Sequence, residues 1–478
     1  MKKYIQILTL GGALALGSCS DLLDTEPRQS LTPETAFADV DGYQSLIYTV
    51  YGRARGFNNY GQQLMIAPEI MADNLKIIAN TGRYIGQEAN ADRAHINLWR
   101  TDYWSGINEA NIALAGIDEA EGDDAARNVV KGEAYFLRAM FYFDMSKVFG
   151  YEPGKEVNGW DKSVIIRTTP TLGFSDADFR TRATNREVYD LIESDLTAAI
   201  GLLPTATLGG SGVYRASKGS AEALLSRVYL YEGKYAEAAS MATQAMATFG
   251  LGNDGSGLVD AANYVSSFAT YPNPESLFEI EIRSNDWSTV DGVNNSMCSL
   301  SANVFASAQF IVTASDELLA SYEEGDVRMD TWTETTRSGA AGTVYRSNKW
   351  LGTKGDFLEN LPIMRAAELY LIRAEARYRT GDETGARADL SALRSKRGLA
   401  AVGSGVSGSS LFDLIMNERR VEFALEGHRW FDLKRNGMDI TKAGSFETVP
   451  YSDYRILAPI PNDQIILNEG LENNPGYN

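Results

Sequence analysis

Three carboxylates, Glu418, Glu422 and Glu426, recur every fourth residue in "NERRVEFALEGHRWFDLKRNG" (417–437). On a helix this spacing stacks them on one face, and paired carboxylates are how glycosidases cleave sugars. Leu411, Leu414, Ile415, Val421 and Leu425 lie on or beside that face, so part of it is buried. A buried carboxylate must be paired, and Arg419, Arg420 and Arg429 are near enough in sequence to do it. A structural ion network is therefore the better reading of the three than a catalytic pair. Other chemistry is thin. His95 and His428 are the only histidines and stand far apart, and no His/Cys/Asp cluster has metal-ligand spacing. No serine sits in a nucleophile elbow. "GGSG" (209–212) lacks the lysine and helix of a phosphate loop. No catalytic residue, metal or cofactor is expected. Cys298, in "NNSMCSL", reads as a buried small hydrophobe.

Aromatic rings are the other chemistry on offer. The chain has 7 Trp and 24 Tyr, more than a core of this size requires. Such rings can stack on the apolar faces of pyranoses while amides, carboxylates and arginine pair the hydroxyls. The best-placed rings lie in irregular, polar settings: Trp287 in "RSNDWSTVDG", Trp332 in "MDTWTET", Trp350 in "RSNKWLG", Tyr60 in "FNNYGQQ" and Tyr84 in "NTGRYIGQ". At least one of Trp287, Tyr60 and Tyr84 is expected to touch ligand. Trp99 could face a cleft, whereas Trp104 on the same helical run reads as core. Trp160 follows a glycine in a loop, and Trp430 reads as structural. Asn58, Asp73, Asn74 and Arg83 could supply polar contacts nearby.

Helices must position these groups. Tyr43, Leu46, Ile47, Val50 and Tyr51 keep helical spacing, as do Trp104, Ile107, Asn111, Leu114 and Ile117. Residues 126–150 form a long helix apolar on most sides, hence buried. A helix from Asn185, its expected N-cap, runs to Pro204. Two stretches resemble each other, one from 216 and one from 365: a helix, a glycine turn (Gly233, Gly381) and a second helix. Ala238 and Ala386 each follow five residues after their glycine. Small residues there let helices cross closely, as in tetratricopeptide-like hairpins. Residues 250–362 between them are rich in Gly, Ser, Thr, Asn and aromatics, with one good strand, "SLFEIEIR". Long irregular segments of this kind carry function. Residues 403–410 form a flexible loop, and the last thirty residues are expected to wrap over the surface.

The amino terminus reads as an export signal. Lys2 and Lys3 precede an apolar stretch, Ile5 to Leu16, too short to span a membrane. Leu16-Gly17-Ser18-Cys19 resembles a bacterial lipobox, in which the cysteine is acylated and becomes the new N-terminus. Residues 1–18 are thus the expected signal peptide. Cys19 is the expected lipid anchor, and 19–40 form an extended tether broken by Pro27 and Pro33. Cys298 is then left without an internal disulfide partner. Apolar content of 44% and charged content of 22% fit a folded globular body. The net charge of −19 repels polyanions, and no basic patch with interleaved aromatics is present, which argues against nucleic acid as a partner.

Taken together, the lipobox, "SDLLDTEP", "LTPETAF", "RAAELYLIRAEARY", "NERRVEFALEGHRWFDLKRNG" and "PIPNDQIILNEGLENNPGY" resemble the SusD/RagB family of Bacteroidetes outer-membrane lipoproteins. The resemblance spans essentially the whole chain. In the last motif Gln464 stands where the family usually has Glu, and Glu469 where it usually has Pro. The resemblance implies a mainly α fold in which four tetratricopeptide-like helix pairs support an irregular, loop-rich ligand-binding face. It divides the body into an N-terminal helical region, 41–250, and a C-terminal region, 251–478. It further implies a lipid-anchored protein of the outer membrane, facing the cell surface. Such a protein captures a glycan and passes it to a SusC-like TonB-dependent transporter, without being an enzyme. Peptide capture within the same family, a glycoside hydrolase, and a scaffold that uses only the helical groove are the alternatives. The family's binding residues vary with ligand, so none is carried over by position.

Overall fold

Asp39 opens the first helix, α1 (Val40–Ala54), by accepting the Gly42 N–H at 3.0 Å, which satisfies an amide that the first turn leaves free. The computed structural model describes residues 36–173, 175 and 178–477. The expected leader, Cys19 and most of the tether lie outside the described residues. Next come α2 (Gln63–Met71), strand β1 (Leu75–Ile77), α3 (Tyr103–Gly116), the long α4 (Asp124–Phe149), α5 (Asn185–Leu202), α6 (Lys218–Glu232) and α7 (Tyr235–Phe249). The 250–362 stretch holds β2 (Ser276–Ile280), α8 (Thr289–Asn295), α9 (Met297–Ser301), β3 (Val312–Ala314), β4 (Trp332–Thr335) and β5 (Val344–Ser347). The chain ends with β6 (Leu361–Arg365), α10 (Ala366–Arg379), α11 (Glu383–Ser395), α12 (Ser409–Glu422), α13 (Arg429–Arg435) and α14 (Asn462–Leu467).

The architecture is a run of helix pairs with a loop-rich face. α1 packs on α3, α3 on α4, α4 on α5, α5 on α6, α6 on α7, α7 on α10 and α10 on α11. The two similar stretches, separated by more than a hundred residues of sequence, are therefore neighbours in space. Gly233 and Gly381 close their helices at φ +76° and +89°, a left-handed conformation that glycine adopts without a Cβ clash. Ala238 and Ala386 are fully buried between the helices. α4 is buried almost all round from Phe136 onward. Its Phe143 meets Tyr189 of α5 and Tyr231 of α6 edge-on, with centroids 6.0 and 5.1 Å away, the geometry that aromatic quadrupoles favour.

Some sequence expectations change. The N-cap of α5 is Thr184, not Asn185: Thr184 and Glu187 form a reciprocal capping box, and Asn185 is the first helical residue, buried. The 250–362 stretch carries more strand than "SLFEIEIR" alone. β1 pairs with β3, β2 with β6, and β4 with β5, all antiparallel. These strands run only three to five residues, too short to show a two-residue period. The carboxy-terminal segment lies on the surface at α14, yet Leu471, Asn474 and Tyr477 are buried.

Glu418, Glu422 and Glu426 form a buried ion network, with partners other than those expected. Glu418 meets Arg328 at 2.7 Å and also Arg394. Glu422 meets Arg365 and Arg397, each at 2.9 Å. Glu426 meets Lys349 at 2.6 Å and Arg365 at 2.8 Å. Arg419 instead pairs with Asp432, and Arg420 and Arg429 with Asp73. Neighbours in sequence on a helix point to different faces, so the partners come from other elements.

Candidate functional site

A loop-rich face is built from four pieces: the 55–62 loop between α1 and α2, the turn at 80–84 after β1, helix α8, and the 302–311 segment leading into β3. Arg55 ties the first piece to the α8 approach by pairing with Asp286 at 2.9 Å. Phe57 lies against Trp287 with centroids 4.8 Å apart. Ser288 then caps α8 in a reciprocal box with Asp291. Helix α8 is thereby oriented with Asn294 and Asn295 at its end.

Gln62 is the hub. Its Oε1 accepts from the Tyr84 hydroxyl at 2.7 Å and from Arg83 Nη2 at 2.9 Å, while its Nε2 donates to the Asn295 carbonyl at 2.9 Å. Arg83 Nη1 donates to Gln309 Oε1 at 3.1 Å and to the Asn294 carbonyl. Gln309 Nε2 closes the ring on Asn294 Oδ1 at 2.9 Å. Arg337 reaches the same segment, donating to the Phe310 carbonyl at 2.6 Å and the Gln309 carbonyl at 3.1 Å. Tyr84 sits at φ +59°, which is rare for a bulky residue and costly unless its surroundings hold it. The hydroxyl bond to Gln62 does so, and burial pushes the phenol up from its ordinary value, so it stays a donor. Asn58, Asn80, Thr81, Asn294 and Asn303 are exposed. This surface can donate to and accept from hydroxyl groups in many directions.

The structure gathers Asn58, Arg83, Tyr84 and Trp287 here. Tyr60 starts from the same loop but turns inward. Its hydroxyl donates to Asp144 at 2.9 Å, beside Tyr103 and Lys147 on the same carboxylate. Trp287 is 6% exposed, so Phe57, half-buried above it, presents the outer ring. Trp332 and Trp350 are buried elsewhere, with their indole N–H groups donated to Tyr322 and to the Leu425 carbonyl. Asp73 is taken up by Arg420 and Arg429, and Asn74 by Glu69 and Arg420. In these positions Tyr60, Trp332, Trp350, Asp73 and Asn74 hold the framework rather than offer a free face. Trp99 is 4% exposed and, with half-buried Trp104, lines a separate cleft of about 490 Å³ with Arg167, Gln464 and Leu471. Gln62, Asn294, Asn295, Gln309 and Arg337 escaped the sequence reading. The only signal was amide-rich "NNYGQQ" and "GVNNS"; Gln62 and Asn295 are 233 residues apart.

Residues 21–230 match the SusD-like family described as starch-binding and associating with the outer membrane, and residues 320–477 match the SusD family that includes RagB. The SusD-like protein P2 of Formosa agariphila is 25% identical over the whole of both chains. A SusD superfamily protein from Bacteroides thetaiotaomicron superposes with a TM-score of 0.78 at 25% identity, covering 91% of this chain and all of that one. A laminarin-binding SusD-like protein superposes with a TM-score of 0.71 at 23% identity, covering 92% of this chain and all of that one. With both family models matched in order along one continuous helical framework, the chain is a member of the SusD/RagB family.

Proposed function

We propose that the protein is a lipid-anchored glycan-binding protein of the outer membrane, facing the cell surface. It captures an oligosaccharide or polysaccharide and delivers it to a SusC-like TonB-dependent transporter, without cleaving it. The observation that carries this reading is the Gln62–Arg83–Asn294–Asn295–Gln309 network. It is a hydrogen-bonded set of amides and one guanidinium beside the Phe57–Trp287 ring pair, with Asn294 exposed, Arg83, Asn295 and Gln309 part-exposed and Gln62 buried. Amides and arginine are the groups that pair sugar hydroxyls, and a fixed network loses little entropy on binding. The laminarin-binding relative of the same fold supports the ligand class. No helix among the described residues is long and apolar enough to cross a membrane, and the lipobox-like Leu16-Gly17-Ser18-Cys19 supports attachment through an acylated cysteine. The stacked carboxylates Glu418, Glu422 and Glu426 are consumed by Arg328, Arg365, Arg394, Arg397 and Lys349, which supports a binder rather than a hydrolase.

Native gels cast with a panel of glycans test this reading, run on the unlipidated chain with Arg83→Ala and Trp287→Ala beside it. The expected result is retardation by at least one glycan, weakened at least tenfold in Arg83→Ala, with no sugar released. Release of sugar products would sink the non-enzyme reading. Retardation unchanged in both variants would move the site off this face.

A further inference from the structure

Arg83 and Arg337 differ from their neighbours in what they touch. Arg83 donates to Gln62 Oε1, Asn295 Oδ1, Gln309 Oε1 and the Asn294 carbonyl. Arg337 donates to the carbonyls of Phe310, Gln309 and Ser338. Every one of these acceptors is neutral. Among the described residues no carboxylate forms an ion pair with either guanidinium. Arg55, on the same face, is paired with Asp286 at 2.9 Å. The framework arginines Arg328, Arg365, Arg373, Arg397 and Arg435 are paired as well. In a chain with 63 acidic against 44 basic residues, arginines with only neutral partners are a minority; Arg180, Arg182 and Arg379 are others, but Arg83 and Arg337 converge on one residue, Gln309.

Neutral acceptors fix a guanidinium without cancelling its charge. Both side chains are held by several bonds, so their orientation is set before ligand arrives. Both are part-exposed. Arg337 uses three N–H groups on carbonyls out of the five that a guanidinium carries. The unused donors of Arg337 can form the two-pronged pairing that guanidinium makes with planar or tetrahedral oxyanions, whereas Arg83, with two acceptors on each Nη, contributes its charge and one Nε–H. The body as a whole is acidic and repels anions at a distance, so a local uncancelled charge is what admits one here.

We propose that Arg83 and Arg337 select a glycan bearing an anionic substituent, a uronate carboxylate or a sulfate ester. This rests on the reading that the face binds glycan, and adds the class of sugar. Affinity gels of the unlipidated chain against alginate, ι-carrageenan and laminarin separate the possibilities. Alginate carries carboxylates, carrageenan carries sulfate esters, and laminarin is neutral. The variants are Arg83→Gln, Arg337→Gln, their double, and Arg337→Lys, which keeps the charge and loses the fork; melting curves confirm that each is folded. The expected result is retardation by alginate or carrageenan, weakened at least tenfold in either glutamine variant, further in the double, and less in Arg337→Lys than in Arg337→Gln. Whichever polymer is held identifies the anion. Retardation by laminarin while both anionic polymers run free overturns the anionic selection and leaves glycan capture standing. Retention by an anionic polymer that ignores both glutamine variants also overturns it. Retardation by none of the three overturns both.

Discussion

Glu359 is a buried carboxylate that no cation pairs with among the described residues. It is 1% exposed and accepts the backbone N–H groups of Cys298 at 2.8 Å and Gly352 at 3.0 Å. Burial pushes its pKa up from 4.5 to about 7, against the pull of those N–H donors. A folded-state pKa above the unfolded one means that the folded protein binds the proton more tightly. The stability contributed by the group is therefore complete below about pH 4.5 and is lost as pH rises through 7, on the order of 3 kcal/mol in all. Glu359→Gln removes that titration. The melting temperature of the variant relative to the native chain should climb between pH 5 and pH 8; a difference that stays flat over that range would refute the assignment. Little of this was legible in "FLENLP", because a carboxylate's burial is decided by the segments folded over it. The same limit explains the tryptophans. Trp332 and Trp350 stand in polar stretches, which marks a surface, yet each indole found an internal acceptor. Arg83 was recognisable beside Tyr84 in "NTGRYIGQ", whereas Arg337 in a Ser/Gly-rich loop carried no mark of its partner 28 residues away.

At the level of elements, the period of the apolar residues specified most helices, and glycines specified their turns. The spacing of Glu418, Glu422 and Glu426 correctly implied that α12 and the turn after it present charge inward. It could not say to what, since Arg328, Arg365, Arg394 and Arg397 arrive from three different segments. Glu422 is the centre of that cluster. Burial alone would raise its pKa, but the guanidinium groups of Arg397 and Arg365 hold it well below the usual carboxylate range. Removing one member of such a cluster leaves buried charges uncompensated, at a cost of about 3–5 kcal/mol. Glu422→Gln should therefore lower stability by about that amount in urea unfolding, by loosening α12 from β6 and from the end of α11. A change below about 1 kcal/mol would mean that the arginines find other partners or water.

For the whole molecule, the decisive fact is that the two family-matched regions are not separate bodies. α7, the last helix before the irregular stretch, packs directly on α10, the first helix after it. β2, inside that stretch, pairs with β6 at its end. Farther along, Asp73, just before β1, holds Arg420 of α12 at 3.1 Å and Arg429 of α13 at 2.6 Å. The carboxylate of Glu69 in α2 accepts the His428 N–H at 2.9 Å. The amino-terminal segment that shapes the candidate face is thus clamped to the carboxy-terminal helices. A body so interlocked cannot lose one region without exposing the core of the other, so it should melt as one cooperative unit. Calorimetry should give a single transition whose van't Hoff and calorimetric enthalpies agree. Asp73→Ala strands two partly buried guanidinium groups and should lower the melting temperature by several degrees while the transition stays single. Two resolved transitions in the native chain would show that the α7–α10 contact does not couple the regions. The face at 55–62 and 80–84 would then be free to move relative to 294–309, and the preorganised network that carries the glycan reading would lose its support.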